Sequence, residues 1–275
     1  MKKTINIVCL LILLLAAACK KEGDFVVKPL KAIEPVTFAG GYVLGDTLTL
    51  YFDGVKMRDY FGPIGSDWET TRIAFEEDRA SMELKRKKTG ETVYQKTFDI
   101  KDADNAIPKL YFDGAKMQPA YTYPTPQGAE YTANFYLDFP AGSGTADISL
   151  EMIEYRMDGN TPVILGVTSV PIASNIQPGK WTEYVTLPMM PTLPNTHPES
   201  GFAPYICVKK AGKNEYYVVN KDEEIFTTIE RNSLQLQLPD EYTTNGLVQS
   251  YHLYGKTYSG ISAVISNDLV RVFPK

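Results

Sequence analysis

Apolar and polar residues alternate with a period of two along much of this chain, and that alternation places successive side chains on opposite faces of a strand. The clearest instance is Met82-Glu83-Leu84-Lys85-Arg86, which runs into Lys87-Lys88-Thr89-Gly90 and returns as Thr92-Val93-Tyr94-Gln95-Lys96-Thr97-Phe98. Two alternating runs around a Gly-containing turn predict a hairpin. Upstream, strand patterns occur at 36–38, 42–44 and 47–52. Downstream they recur at 130–139, 145–155, 162–170, 181–187, 205–209, 215–219, 225–229, 234–238, 247–254 and 269–273, with loops at 140–144 and across the proline-rich stretch 188–204. Trp68, Arg72, Phe75 and Arg79 have helical spacing and predict one short helix within 68–80. No stretch has the pattern of a long amphipathic helix. Residues 5–15 stand apart as a continuous apolar run broken only by Asn6, too short to cross a bilayer.

One octet occurs twice. Leu50-Tyr51-Phe52-Asp53-Gly54-Val55-Lys56-Met57 matches Leu110-Tyr111-Phe112-Asp113-Gly114-Ala115-Lys116-Met117 at seven of eight positions, sixty residues apart. Asp-Gly after an apolar strand is a tight-turn signal, because Gly reaches positive φ and Asp bonds its own backbone. Asp53 and Asp113 therefore read as turn residues of a repeated strand-turn unit, in preference to ligands or catalytic acids. The similarity fades outside the octet, so it marks a repeated building block and not a solenoid. The polar stretch at 101–108 then suggests a boundary. It gives a first β-sandwich domain at 34–105 and a second at 106–275, with a further division of the second near 175 left open.

The apolar run at 5–15 follows a basic head, Lys2-Lys3, and ends at Ala16-Ala17-Ala18-Cys19 before the charged Lys20-Lys21-Glu22-Gly23-Asp24. Those flanks are those of a secretion signal. Small residues leading to a cysteine resemble the lipobox of bacterial lipoproteins, in which signal peptidase II cuts ahead of the cysteine and its thiol carries diacylglycerol. The lipobox position three before the cysteine is Leu in the usual motif and Ala16 here, with Leu15 one step further out. The resemblance implies a signal peptide at 1–18, lipidation of Cys19, and a lipidated tether at 19–33 joining the membrane to the first fold.

Composition sharpens the fold class. With 18 Tyr, 12 Phe and 18 Pro, the chain favours pleated surfaces punctuated by turns, the profile of an all-β extracellular protein. Loss of the signal would remove two lysines and move the formal charge from -5 to -7, leaving no basic surface for a nucleic-acid partner. Of the three cysteines, Cys9 falls in the signal and Cys19 carries lipid, so Cys207 is a lone thiol within Tyr205-Ile206-Cys207-Val208 and reads as a buried structural residue.

Candidate chemistry is sparse. The two histidines are His197, in the proline-rich loop, and His252, in a strand. No Gly-x-Ser-x-Gly elbow, His-Cys metal spacing, Walker loop or dinucleotide fingerprint accompanies them, and no catalytic residue, metal ligand or cofactor is assigned. The acidic clusters Glu76-Glu77-Asp78 and Asp222-Glu223-Glu224 read as solvated edges or turns, and Lys85-Arg86-Lys87-Lys88 as a charged hairpin tip protecting an edge strand. Aromatic residues are the more informative class, since Trp and Tyr faces stack on sugar rings. Trp68, Tyr121 and Tyr123 lie in loop-like, polar surroundings and form the candidate ligand platform; the competing reading is that they pack loops onto the sandwich. Trp181 and Tyr216-Tyr217 sit in strand-like runs and read as core or sheet surface.

A lipobox followed by tandem immunoglobulin-like β-sandwich domains resembles the accessory surface lipoproteins of starch-utilisation-type glycan uptake systems. The resemblance is architectural, and no binding residue is carried over from it. It implies a non-catalytic, lipid-anchored protein of the bacterial cell envelope, at the outer membrane and cell surface, that binds glycan or serves an outer-membrane uptake complex. A structural or adhesive protein-binding lipoprotein is the alternative. A hydrolase on a β scaffold is the weaker third, requiring two carboxylates roughly 5–10 Å apart in a cleft.

Overall fold

A computed structural model describes residues 30–65, 71–102 and 105–275. It is an all-β protein built of two sandwiches. The first contains β1 (Ala32–Phe38), β2 (Gly41–Phe52), β3 (Val55–Pro63), β4 (Thr71–Phe75), β5 (Arg79–Arg86), β6 (Thr92–Asp99), β7 (Ala106–Ile107), β8 (Leu110–Phe112) and β9 (Met117–Gln118). One sheet has the order β6-β5-β2-β8-β9, with β3 also paired to β2, and the facing sheet has the order β4-β1-β7. The alternation predicted at 82–98 is the β5–β6 hairpin, with Met82 opposite Lys96 and Leu84 opposite Tyr94. Its inward residues, Met82, Leu84 and Phe98, join Val36, Leu48, Leu50, Phe75 and Phe112 in one buried cluster. Burial of such side chains contributes about 1.5–3 kcal/mol each and is the main force holding the two sheets together.

The second sandwich contains β10 (Tyr131–Asp138), β11 (Ala146–Asp158), β12 (Thr161–Ile176), β13 (Val185–Thr186), β14 (Gly201–Lys210), β15 (Ser233–Leu234), β16 (Leu247–Tyr258) and β17 (Ile261–Asp268), with short helices α1 (Ile225–Arg231) and α2 (Leu269–Val272). Its sheets have the orders β13-β10-β16-β17 and β12-β11-β14-β15. Phe135, Leu137, Ile148, Leu150, Val208, Tyr251 and Leu253 fill a single core between them. β12 runs through residue 175, and both sheets share that core, so the described residues of this segment form one sandwich.

The structure departs from the sequence pattern at several places. β7, β8 and β9 lie beyond the expected boundary at 106, yet they belong to the first sandwich, β7 pairing with β1 and β8 with β2. The change of unit therefore follows Gln118. Thr71–Phe75, inside the predicted helix, is a strand paired with β1, because Ile73 and Phe75 bury into the core only from an extended backbone. Strand patterns at 225–229 and 269–273 are helices instead. In α1, Ile229 and Phe226 pack on Ile153 and Cys207, on the outer face of β11 and β14. In α2, the Asp268 carboxylate accepts the Val270 backbone N–H at 3.0 Å, an N-cap that turns the chain out of β17. Of the expected strand at 215–219, a single bridge from Tyr216 to Lys209 forms, and the pattern at 234–238 reduces to β15.

Candidate functional site

The site grows from alternation on β10 and β16. Ala133, Phe135 and Leu137 point into the second core, so Asn134, Tyr136 and Asp138 emerge on the opposite face of the sheet. β16 pairs in parallel with β10, bringing Ser250 beside Asn134, His252 beside Tyr136 and Tyr254 beside Asp138. This polar, aromatic face is mostly withdrawn from solvent, with Asn134, Ser250 and His252 buried and Tyr136 and Asp138 half-buried. It is covered by the first sandwich and by the segment after β17, in a cluster of Tyr42, Leu44, Tyr111, Leu269 and Phe273 joined by Tyr121, Tyr136 and Trp181.

His252 is fully buried at the centre of this junction. Its Nδ1 lies 2.8 Å from the Tyr42 hydroxyl and its Nε2 3.2 Å from Asp138 Oδ2. Burial, with a smaller contribution from neighbouring Tyr254, pushes the Tyr42 hydroxyl far above the usual tyrosine range. A carboxylate oxygen only accepts, so Nε2 carries the proton shared with Asp138. Phe61 closes the cluster edge-on to Tyr254, with ring centroids 4.9 Å apart. The Asp138–His252–Tyr42 chain has the geometry of a lock between the two sandwiches.

Next to the lock is an open cavity of about 510 Å³. Tyr111, Asp113 and Gln118 line it from the first sandwich, Asn134, Trp181 and Tyr184 from the second, and Tyr121 from the segment between them. The Tyr121 ring lies 5.2 Å from Tyr111 and 6.1 Å from Trp181, making an angled aromatic wall. Burial raises the hydroxyls of both Tyr111 and Tyr121 well above the ordinary range, so both remain protonated donors. Asp113 Oδ1 accepts the backbone N–H groups of Ala115 and Lys116 at 2.8 and 2.9 Å, and its Oδ2 takes the Gln118 side-chain amide. Burial opposes its ionisation, but these donors outweigh burial and hold the carboxyl below the usual range. Asn134 Oδ1 is buried in this wall and has no hydrogen-bond partner. A buried acceptor left unmade costs about 1–3 kcal/mol, and a native structure carries such a group for a reason.

The candidate platform is only partly assembled here. Tyr121 lines the cavity. Tyr123 does not: its hydroxyl donates to the Phe273 carbonyl at 3.1 Å, its own carbonyl accepts Lys275 Nζ at 2.7 Å, and that ammonium lies 4.4 Å from its ring centre. Tyr123 thus fastens the segment 273–275 across the junction. Trp68 and Cys19 lie outside the described residues. Trp181 and Asn134 are site residues that the sequence pattern does not single out, although a lone Asn within Tyr131-Thr132-Ala133-Asn134-Phe135-Tyr136-Leu137 is a visible polar break in an apolar strand.

Other candidates serve the fold. Asp113 holds its own turn, whereas Asp53 Oδ1 accepts the Ser81 backbone N–H at 2.7 Å and so ties the β2–β3 turn to β5. The basic hairpin tip is neutralised at close range, Arg86 by Asp46 at 2.8 Å and Lys87 by Asp59 at 2.8 Å. Burial, reinforced by the Glu151 carboxylate, pushes the Cys207 thiol up to about 12, which leaves it inert. Among the described residues no group of three or more His, Cys, Asp or Glu is placed to hold a metal ion. A larger cavity of about 670 Å³ lies between α1 and β12, but its charged groups are already paired, Lys209 with Glu151 and Glu223 with Arg231.

No family model and no curated protein matches the chain. Among solved structures, the chain is similar to one from Bacteroides fragilis NCTC 9343 named a "putative cell adhesion protein", at 12% identity and a TM-score of 0.23, over 82% of this chain and 84% of that one.

Proposed function

We propose that this protein is a non-catalytic, lipid-anchored envelope protein that binds a carbohydrate in the cavity at the junction of its sandwiches. The observation that carries the reading is the open cavity walled by Tyr111, Tyr121 and Trp181, with Asn134, Gln118 and Tyr184 in the same lining. A sugar ring presents an apolar C–H face and a rim of hydroxyls. Aromatic faces suit the first, and polar side chains in the same wall suit the second. The test is a glycan-array screen of the soluble protein from Lys20 onward, repeated with Trp181→Ala and Asn134→Ala. Saturable binding that weakens at least about tenfold in both variants supports the reading, since each loses a contact worth roughly 1–3 kcal/mol. Binding indifferent to both variants moves the site elsewhere.

A second reading, protein adhesion, is favoured by β12. It is a 16-residue strand at the edge of its sheet, with Val163 and Val167 37% and 47% exposed. A long edge offers unpaired backbone groups to a partner strand. Pull-down of envelope proteins by the wild type, lost when Val167 is replaced by Lys, would favour it.

A further inference from the structure

Granted the saccharide reading, we infer that the junction cavity selects neutral sugars and discriminates against acidic ones. The inference rests on the charge of the walls. Among the described residues, the polar lining includes Asn134, Gln118, Thr122, three tyrosines and Asp113, with no lysine or arginine. Asp113 is held ionised by its backbone donors, so the one formal charge in the described lining is negative. Two cations of the neighbouring segments are committed elsewhere. Lys109 Nζ donates to the Val272 carbonyl at 2.7 Å and lies over the Phe273 ring, and Lys275 is fastened to Tyr123. Lys116 is exposed on the β8–β9 turn, outside the lining, and its charge acts on Asp113.

A uronic or sialic carboxylate entering this cavity would lose part of its hydration and meet a like charge, with no guanidinium or ammonium in the described lining to receive it. A neutral hydroxyl meets none of that opposition. Site size narrows the ligand further. At about 510 Å³ the cavity lies in the lower half of the usual range for small-molecule sites, about 300–1,000 Å³, so it suits one or two sugar rings or the end of a longer chain. Specificity here is a difference of affinities created by a repelling charge.

The experiment is calorimetric titration of the folded protein from Lys20 onward with matched pairs: galactose and galacturonate, glucose and glucuronate, and the neutral disaccharides of each. Wild type, Asp113→Asn and Trp181→Phe are compared. Asn at 113 retains an Oδ1 for the turn while removing the charge, and Phe at 181 retains a packing ring. The expected result is that a neutral member binds, its acidic counterpart binds at least about tenfold more weakly, and Asp113→Asn narrows that gap. An acidic sugar that binds as well as its neutral partner, with Trp181→Phe weakening both, overturns the selectivity and leaves the saccharide reading standing. A gap that Asp113→Asn leaves unchanged overturns Asp113 as its source. Failure of every sugar to bind overturns the saccharide reading itself.

Discussion

Tyr42 and His252 are 210 residues apart in the chain and share a 2.8 Å hydrogen bond that joins the first sandwich to the second. Both are fully buried, so neither partner has water to fall back on. Tyr42→Phe keeps the ring and removes the hydroxyl, leaving His252 Nδ1 without its partner. The expected loss is about 1–3 kcal/mol of unfolding free energy, read from the midpoint of a urea titration. An unchanged midpoint would show that this hydrogen bond adds nothing to the hold between the two sandwiches.

Gly41 precedes Tyr42 on β2. It pairs with Leu110, and a Cβ placed on it would lie 2.3 Å from the Leu110 carbonyl oxygen, a backbone atom that cannot swing away. Gly41→Ala is therefore expected to push β8 from β2 and to cost about 1–3 kcal/mol, with faster amide exchange at 110–112. Gly166→Ala on β12 is the control: nothing lies within 4 Å of the point its methyl would occupy, and the change should stay within about 0.5 kcal/mol.

The parts of this fold that local pattern reveals are those whose two faces differ. β5, β6, β10, β11 and β16 each set apolar residues against polar ones, and each stands where the alternation predicts it. β7 is two residues long and depends on a partner in β1 that no local window contains, whereas β8 is the apolar strand of the repeated octet and pairs with β9 across its Asp-Gly turn. α1 reads Ile-Phe-Thr-Thr-Ile, a strand-like composition, and becomes helical because a helix lets Phe226 and Ile229 share one contact with Cys207. The site divides the same way. Tyr121 is legible as a loop aromatic, but its cavity exists only once Trp181 and Asn134 arrive from a different sandwich than Tyr111 and Asp113.

Glu154 gives a pH prediction. Its carboxylate accepts the hydroxyls of Ser200 and Thr196 and the backbone N–H groups of Thr196 and His197, pinning the proline-rich loop to β11. The Ser200 and Thr196 hydroxyls are the largest cause of a carboxyl lowered to about 2 from an ordinary 4.5. A lowered carboxyl stabilises the fold fully above its unfolded value and loses that contribution as pH falls through the folded one. The stability difference between wild type and Glu154→Gln should therefore be constant above pH about 5 and shrink steadily between pH about 4.5 and 2. Urea midpoints of the two proteins measured across that window check it, and a gap that stays constant to pH 2 would contradict it.

The buried pair on the outer face of the second sandwich separates attraction from desolvation. Glu151 is wholly buried and Lys209 nearly so, with Nζ 2.7 Å from Oε2. Burial alone would raise the Glu151 carboxyl. Lys209, with the hydroxyls of Ser149 and Ser169, reverses that and holds it below its ordinary value. Lys209→Met removes the partner and leaves a carboxylate in an apolar wall, so a loss of about 3–5 kcal/mol is expected. Adding Glu151→Leu to it removes the stranded charge, and the double variant should recover most of the stability, since apolar replacement of a buried pair is often neutral. A double-mutant cycle by denaturant titration gives the coupling directly. A double variant as unstable as Lys209→Met would mean that the pair is held for its hydrogen bonds to Ser149, Ser169 and Asn214, which apolar side chains cannot replace.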